Sequence, residues 1–315
     1  MRFERAKRKQ AKLRLGLTGP SGSGKTLSAL LLAEGLGGPI AVLDTERDSA
    51  SLYAEPIRLP SGETITPPEF DALSLGSPYT PERYIEAIRA AESAGYKTMI
   101  IDSITHEWSG VGGCLELVDE IARAKYRGNS WSAWNDVTPR HRAFIDAILQ
   151  SNMHIIVTMR SKTETAQQEG QNGKKSVVKL GMKAEQRDGF EYELTTVLDI
   201  SHDGHYATAS KDRTGLFMGR DPAKITPETG RQILAWLESG VLPAEPKVSD
   251  EEKSKHLKAI NEAATINELQ AAFVPAYRAA QAMKDIDAIA DFKKAKDERK
   301  SALEAQSNSI TNTQG

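Results

Sequence analysis

The eight residues from Gly19 to Thr26 have the composition and spacing of a phosphate-binding loop. They fit the pattern G-x-x-x-x-G-K-[ST] without a mismatch. Glycines allow a tight turn whose backbone N–H groups point inward at an anion. Lys25 is expected to reach the β- and γ-phosphates of a nucleoside triphosphate, and the Thr26 hydroxyl to hold Mg²⁺. The expected nucleotide contacts are Gly19, Pro20, Ser21, Gly22, Ser23, Gly24, Lys25, Thr26 and Leu27.

The segments on either side of this loop are those that a phosphate site requires. The apolar run 13–17 predicts a strand, and residues 27–35 predict a helix that ends at a glycine. Such a helix presents the positive end of its dipole to the anion. Turns rich in glycine and serine also occur without a ligand, but this order of elements favours the nucleotide site.

Three later predicted strands are each followed by a charged residue. Because the carboxyl ends of parallel strands meet at one edge of a sheet, we expect these side chains near the phosphate loop. The carboxylate after the second of these strands completes a Walker B element and is expected to bind Mg²⁺ opposite Thr26. The three are Glu46 after the run 39–44, Asp102 after the run 98–101, and Arg160 after the run 153–158.

Five candidate side chains have competing interpretations. Glu46 is expected either to orient a water molecule toward the γ-phosphate or to cap a turn at the surface. Arg160 either senses the γ-phosphate or forms a surface salt bridge. Tyr53, seven residues after Glu46, is an adenine platform or a packed aromatic. Lys211 and Arg213 could act on the γ-phosphate of a neighbouring subunit as an arginine finger does, or form a plain basic turn.

Three segments are candidates for contact with nucleic acid. Residues 103–136 hold three of the four tryptophans, with basic residues between them, so they could stack single-stranded bases or simply pack in the core. Residues 161–180 are polar and predict a mobile loop beyond the active-site edge. Residues 1–14 form a basic arm that could touch phosphates or remain a solvated terminus.

Composition places the chain among ordinary globular proteins. It has 315 residues, of which 39% are hydrophobic and 27% charged, and a net charge of −2. The single cysteine, Cys114, argues against a disulfide framework or a Cys-based zinc site and suits a reducing cytoplasm. The six histidines show no metal-ligand spacing. No apolar run approaches the length of a membrane helix, so we expect a cytoplasmic protein without a membrane partner.

The order of segments predicts one large domain with a smaller helical one after it. Two capping boxes, Ser249 with Glu252 and Thr265 with Glu268, predict the helices of the smaller domain. The predicted parts are a basic arm (1–14), an ATPase core (15–240), a linker (241–249), a helical module (250–305) and a disordered tail (306–315).

Together these motifs resemble the core of RecA-type ATPases. The resemblance covers about residues 12–220, and its order and spacing are most similar to phage-encoded RecA-like ATPases. Those proteins are known as phage nucleotide-binding proteins or RecA-like single-strand annealing proteins. The matching segments are residues 43–46 with Tyr53, residues 100–103, and residues 211–215.

The resemblance implies an α/β fold, with a RecA-like P-loop NTPase core in which helices flank a mainly parallel central sheet. A small C-terminal helical module follows. It also implies an ATPase that uses ATP and Mg²⁺ on single-stranded DNA in phage recombination or annealing. ATP would lie at the interface of a homo-oligomer, with Lys25 and Thr26 on one subunit and Lys211 and Arg213 from the next. The family's DNA-binding loops would lie within 103–136 and 161–180.

The resemblance is incomplete at one strand tip and leaves partners open. RecA proteins have an Asn-Gln pair where this chain has Met159 and Arg160, which puts the family's coupling of ATP to DNA in doubt. The C-terminal helices would bind a single-strand-binding protein or another recombination partner.

Two alternative functions stay open. One is a small-molecule kinase with 161–180 as its lid, and the other is a non-catalytic nucleotide-dependent switch.

Overall fold

A computed structural model describes residues 5–59, 61–169, 175–241 and 247–311 of the chain. Within these ranges, the side chains of 163–182 and 306–311 are left undescribed. The chain forms two compact units, residues 1–241 and 242–315, and the division falls inside the predicted linker.

An eight-stranded sheet is the centre of the first unit. The strands of this unit are β1 (Arg14–Gly19), β2 (Ile40–Asp44), β3 (Ile57–Arg58), β4 (Thr64–Ile65), β5 (Asp71–Ser74), β6 (Thr98–Asp102), β7 (His154–Glu169), β8 (Lys175–Ala184), β9 (Thr196–Ile200) and β10 (Ala207–Asp212). The sheet order is β10-β9-β1-β7-β6-β2-β5, and β8 pairs with β7 beside this path. In the part of the chain that the structure describes, β10 and β8 are the strands of this sheet that pair antiparallel. The short strands β3 and β4 form a separate ribbon.

Helices cover both faces of this sheet. They are α1 (Lys25–Leu36), α2 (Pro81–Ala94), α3 (Thr105–Ser109), α4 (Cys114–Lys125), α5 (Ser130–Gln150) and α6 (Pro227–Glu238). One core contains Leu30 of α1 and Ile233 of α6, and the other contains Tyr84 of α2 and Phe144 of α5. Strands β1, β2 and β6 are buried at every residue, as continuous apolar strands between two helical layers must be. The predicted fold class, a mainly parallel sheet flanked by helices, is confirmed.

The strand order gathers the candidate residues at one edge. Strand β7 lies between β1 and β6, so the phosphate loop and the Walker B strand are separated by one strand. Gly19 at the end of β1 is in register with Arg160 of β7, and Asp44 of β2 with Asp102 of β6. The carboxyl ends of these four strands therefore meet at the same edge.

The predicted loop at 161–180 is wrong where the structure describes this segment. Strand β7 continues to Glu169 and pairs antiparallel with β8, from Ser161 opposite Ala184 to Glu169 opposite Lys175. Residues 170–174 lie outside the described ranges. Polarity indicated a loop, but β-branched residues such as Thr163, Thr165, Val177 and Val178 favour strands.

The basic arm is only partly available for nucleic acid. The Arg14 side chain is buried, and its guanidinium donates hydrogen bonds to the Met153 carbonyl at 2.7 Å and the Leu149 carbonyl at 3.1 Å. Burial lowers the pKa of Arg14 to about 10. The Arg8 guanidinium lies 4.8 Å from the centre of the Trp236 ring on α6. These two cations are therefore occupied by the chain itself, contrary to the expectation of a free arm.

His154 at the start of β7 is a buried core residue, as its place in an apolar strand predicts. Its Nδ1 atom accepts a hydrogen bond from the Leu13 backbone N–H at 3.1 Å, so that nitrogen is unprotonated. Burial, and then the positive charges of Lys12 and Arg14, lower the pKa of His154 to about 4.

Three helices make up the described part of the second unit, residues 247–311. They are α7 (Asp250–Glu262), α8 (Ile266–Ala282) and α9 (Ile286–Thr311). The hydroxyls of Ser249 and Thr265 accept hydrogen bonds from the N–H groups of Glu252 and Glu268, at the positions of the predicted caps. The tail predicted as disordered from residue 306 is helical as far as Thr311, because no proline or glycine interrupts the run 286–311. Across the described residues, no helix has the length and apolar character to span a membrane.

Candidate nucleotide site

The loop Gly19–Thr26 connects β1 to α1 at the carboxyl edge of the sheet. Gly22 and Gly24 have φ angles of 76° and 86°, in the left-handed region that favours glycine. Among the described residues, no side chain caps the start of α1, whose N-cap residue is Gly24. The first N–H groups of the helix are therefore free of a side-chain acceptor and can bind an anionic ligand.

Lys25 is folded back onto the loop that precedes it. Its Nζ atom donates to the Gly19 carbonyl at 3.0 Å and to the Pro20 carbonyl at 2.8 Å. Burial lowers the pKa of Lys25, and the carboxylates of Asp102 and Glu46 partly oppose this shift. A phosphate in the loop would compete with these two carbonyls for the ammonium group.

Asp102 at the end of β6 faces Thr26 at the start of α1. The Thr26 hydroxyl donates to Asp102 Oδ2 at 2.5 Å, and the Thr158 hydroxyl donates to Oδ1 at 2.5 Å. The Asp102 side chain is only 3% exposed, and this burial raises its pKa against the effect of the two hydroxyls. Within the described ranges no cationic side chain lies within ion-pair distance of Asp102. A carboxylate and a hydroxyl at this spacing are the hard oxygen ligands that Mg²⁺ prefers.

Glu46 and Arg160 form an ion pair across two strand tips. The Arg160 Nε and Nη2 atoms donate to Glu46 Oε1 at 3.0 and 2.9 Å. The Glu46 backbone N–H donates to Asp44 Oδ1 at 2.6 Å, and the Ala50 N–H donates to Oδ2 at 2.8 Å. The carboxyl group of Asp44 thereby shapes the turn that carries Glu46. The structure thus brings together two side chains that the sequence placed at separate strand tips.

Thr45, Tyr79 and His106 form a polar group beside this pair that sequence reasoning missed. The Thr45 hydroxyl lies 2.7 Å from His106 Nδ1 and accepts the Ser103 backbone N–H at 2.9 Å. The Tyr79 ring stacks on His106 with centroids 4.9 Å apart. Burial, followed by the charge of Arg160, lowers the pKa of His106. His106 could have been predicted from its position four residues after Asp102, because the first turn after a Walker B strand lies at this edge of the sheet.

The turn between β9 and β10 lies against the phosphate loop, which the sequence did not indicate. His205 Nδ1 donates to the Ser23 carbonyl at 3.0 Å. A Cβ atom at Gly22 would lie 3.6 Å from His202 Nε2. The antiparallel pairing of β10 with β9 carries this turn to the carboxyl edge, so two histidines without a predicted role border the loop.

Tyr53 lies in a one-turn helix after β2 and packs against the core on the α1 side of the sheet. Burial raises its pKa, and the carboxylate of Asp102 adds to this shift. The structure thus places Tyr53 within electrostatic reach of Asp102, and its contact with adenine stays a prediction.

Lys211 and Arg213 lie at the opposite end of the sheet from their own phosphate loop. Lys211 is in register with Val197 near the start of β9, and both cations donate to the Tyr192 carbonyl, at 2.6 and 2.7 Å. Since β9 runs parallel to β1, this end is the amino end of β1. The two cations do not join the site of their own chain, and action on a neighbouring subunit stays a prediction.

Aromatic residues line an open pocket on α3 and α5, which we call the Trp pocket. The Trp108 and Trp134 rings stack with centroids 5.6 Å apart, and the Arg187 guanidinium lies 5.8 Å from the Trp134 ring. Trp131 is 85% exposed. The lining comprises Trp108, Trp131, Trp134, Asn135, Thr138, Pro139 and Arg187.

The order of the strands and the glycine loop between β1 and α1 define the fold of a P-loop nucleoside triphosphatase. The chain belongs to the AAA_24 family, described as an AAA domain, whose model matches residues 11–225. No curated protein matches the chain. Among solved structures it is similar to the crystal structure of the RadB recombinase, with 19% identity over 68% of this chain and 88% of that chain, and a TM-score of 0.35.

Proposed function

We propose that the protein binds ATP together with Mg²⁺ and hydrolyses it. The observation that carries this proposal is the 2.5 Å contact between the Thr26 hydroxyl and the Asp102 carboxylate beside the uncapped start of α1. A divalent cation between these oxygens would compensate the buried carboxylate. When bound, Mg²⁺ would offset the negative charge on the β- and γ-phosphates.

The residues of the site suit an in-line attack by water. Glu46 orients a water molecule and accepts its proton as the water oxygen attacks the γ-phosphorus. The bond from the γ-phosphorus to the bridging oxygen breaks, and ADP leaves. Lys25 moves from the Gly19 and Pro20 carbonyls to the phosphates, where its charge stabilises the developing negative charge.

The ion pair between Glu46 and Arg160 is the arrangement from which this step would begin. In the described structure Arg160 holds the carboxylate that we assign as the base. The γ-phosphate carries more negative charge than one carboxylate and competes for the guanidinium. We infer that Arg160 moves to the γ-phosphate on ATP binding and thereby releases Glu46.

We propose single-stranded DNA as the effector of this ATPase, in phage recombination or annealing. Stacked indole rings beside a guanidinium, with a third exposed indole at Trp131, suit the faces of unpaired bases. The β7–β8 ribbon continues directly from the strand that carries Arg160, so DNA on the ribbon would act close to the ATP site. The C-terminal helices would bind a single-strand-binding protein or another recombination partner.

We propose further that ATP lies between subunits of a homo-oligomer. Lys211 and Arg213 lie too far along the sheet to serve the loop of their own chain. Their positions at the opposite end of the sheet support action on the loop of the next subunit.

The deciding experiment measures ATP hydrolysis with and without single-stranded DNA at two salt concentrations. We expect stimulation by DNA that weakens as salt increases, because phosphate contacts release counterions. Lys25→Ala is the inactive control. Tight ATP binding without turnover under any condition would replace this proposal with a nucleotide-dependent switch. Transfer of phosphate to a metabolite, independent of DNA, would replace it with a kinase.

A further inference from the structure

Three potential metal ligands from three helices converge behind the Trp pocket. They are Glu107 on α3, Cys114 on α4 and His141 on α5. The Cys114 thiol lies 3.1 Å from Glu107 Oε1, and His141 Nδ1 lies 3.0 Å from the same oxygen. All three donor atoms lie within 4.8 Å of one another. Glu107 and Cys114 are fully buried, and His141 is 4% exposed.

Two of the three separations between donor atoms, those that involve Glu107 Oε1, are close to the separations in a tetrahedral zinc site. Zinc lies about 2.3 Å from a thiolate sulfur and about 2.0–2.1 Å from imidazole nitrogen or carboxylate oxygen. Tetrahedral angles then separate neighbouring donors by roughly 3.3–3.6 Å. The observed contacts of 3.0 and 3.1 Å need to widen by only a few tenths of an ångström.

The charges of the cluster also favour a divalent cation. Among the described residues, His141 is the sole ionic partner of the buried Glu107 carboxylate. Zn²⁺ bound by one carboxylate, one thiolate and one neutral imidazole gives a site without net charge. Burial of a neutral cluster avoids the desolvation penalty of an isolated buried charge.

Besides the packing of α5 in the larger core through Phe144, the helices that supply these ligands share a small apolar core. It contains Cys114, Leu117, Val118, Ala122, Ala133 and Val137 and is separate from the cores on the two faces of the sheet. An ion here would fix α3, α4 and α5, and the Trp108 ring that lies 5.4 Å from His141.

We propose that Glu107, Cys114 and His141 bind one Zn²⁺ ion that holds these three helices together. A water molecule would complete the coordination, as in zinc sites with three protein ligands. The site is separate from the proposed ATPase function and uses none of its residues. The single cysteine and the spacing of the histidines gave no indication of this zinc site. Its three ligands are distant in sequence and come together through the packing of the helices.

The test measures metal bound by the full chain in the absence of nucleotide. After dialysis against metal-free buffer, we expect about one equivalent of zinc per chain by elemental mass spectrometry. Co²⁺ in place of zinc should give a thiolate-to-cobalt charge-transfer band. That band is specific to this site because Cys114 is the only cysteine.

Two variants separate the metal site from a hydrogen-bonded cluster. Cys114→Ser keeps a donor to Glu107, and we expect the cobalt band to disappear and zinc affinity to fall by more than about 100-fold. His154→Gln changes a buried histidine outside the cluster, and this variant should keep both the cobalt band and the wild-type zinc affinity. A chelator should lower the Tm of the wild type and leave that of Cys114→Ser unchanged. Wild-type protein that retains no zinc and gives no cobalt band would overturn the proposal, whether or not the variants fold.

Discussion

Replacement of Glu46 by glutamine tests the proposed base with little change to the fold. The Glu46→Gln side chain keeps an oxygen that can accept the Arg160 N–H groups now at 2.9 and 3.0 Å. The ion pair that is lost is partly exposed, since 46% of the Arg160 side chain is accessible to solvent. Such pairs contribute about 0.2–1 kcal/mol to the free energy of unfolding. The free energy of unfolding and the Kd for ATP should therefore change by no more than about 1 kcal/mol, roughly fivefold in Kd.

The rate of hydrolysis should respond far more strongly. A glutamine cannot accept the proton of the attacking water, and loss of a general base lowers kcat by about 10²–10⁴-fold. This corresponds to about 3–5 kcal/mol in the activation barrier. Phosphate release gives kcat, and titration with a fluorescent ATP analogue gives Kd.

Glu63→Gln is the matched control for this comparison. Glu63 is an exposed carboxylate in the segment between β3 and β4, so its replacement should leave kcat and Kd at wild-type values. A Glu46→Gln variant that hydrolyses ATP at the wild-type rate would refute the assignment of Glu46 as the base. Equal losses in kcat and in ATP binding would show instead that Glu46 shapes the site.

Three further predictions follow from the geometry. The Lys25→Ala and Arg213→Ala variants should each be inactive. If the site is shared between subunits, a mixture of the two variants should regain ATPase activity, and a mixture that stays inactive would contradict the shared site. Trp134→Ala should weaken binding of single-stranded DNA by about 1–3 kcal/mol in a fluorescence titration, whereas Trp236→Ala, outside the Trp pocket, should not; equal losses would exclude base stacking there. The pKa of His154 is lowered in the folded state to about 4. Its contribution to the free energy of unfolding is therefore complete above about pH 6.5 and is lost as the pH falls toward 4. Wild-type protein should lose about 2 kcal/mol of unfolding free energy between pH 7 and 5 from this group, measured by urea denaturation, and His154→Gln should lose correspondingly less.

The parts of the site that depend on local spacing could be predicted from sequence. The glycine pattern, the apolar runs and the acidic residue after β6 place Lys25, Thr26 and Asp102 without knowledge of distant contacts. The parallel arrangement then places Glu46 and Arg160 at the same edge. The sheet with helices on both faces follows from the same alternation of elements.

The rest depends on which distant segments pair. Nothing in the residues around His205 indicates that the antiparallel return of β10 carries this side chain to Ser23. The buried role of Arg14 follows from the carbonyl groups of Leu149 at the end of α5 and of Met153 just after it, more than 130 residues away. The polar composition of 161–180 also led to a wrong prediction of a loop, because the antiparallel pairing of β7 with β8 satisfies backbone hydrogen bonds whatever the polarity of the side chains.

The position of β1 has a consequence for how the protein is made. This strand pairs with β7 and β9, segments that leave the ribosome well over 100 residues after the phosphate loop has been synthesised. Pairing across such sequence separations is slow and closes large loops. The loop that matches its motif within the first 26 residues thus gains its hydrogen bond from His205 to the Ser23 carbonyl only after the β9–β10 turn has been synthesised. Nascent chains that stop short of β9 should therefore expose a phosphate loop without this hydrogen bond and an unpaired strand edge to other chains.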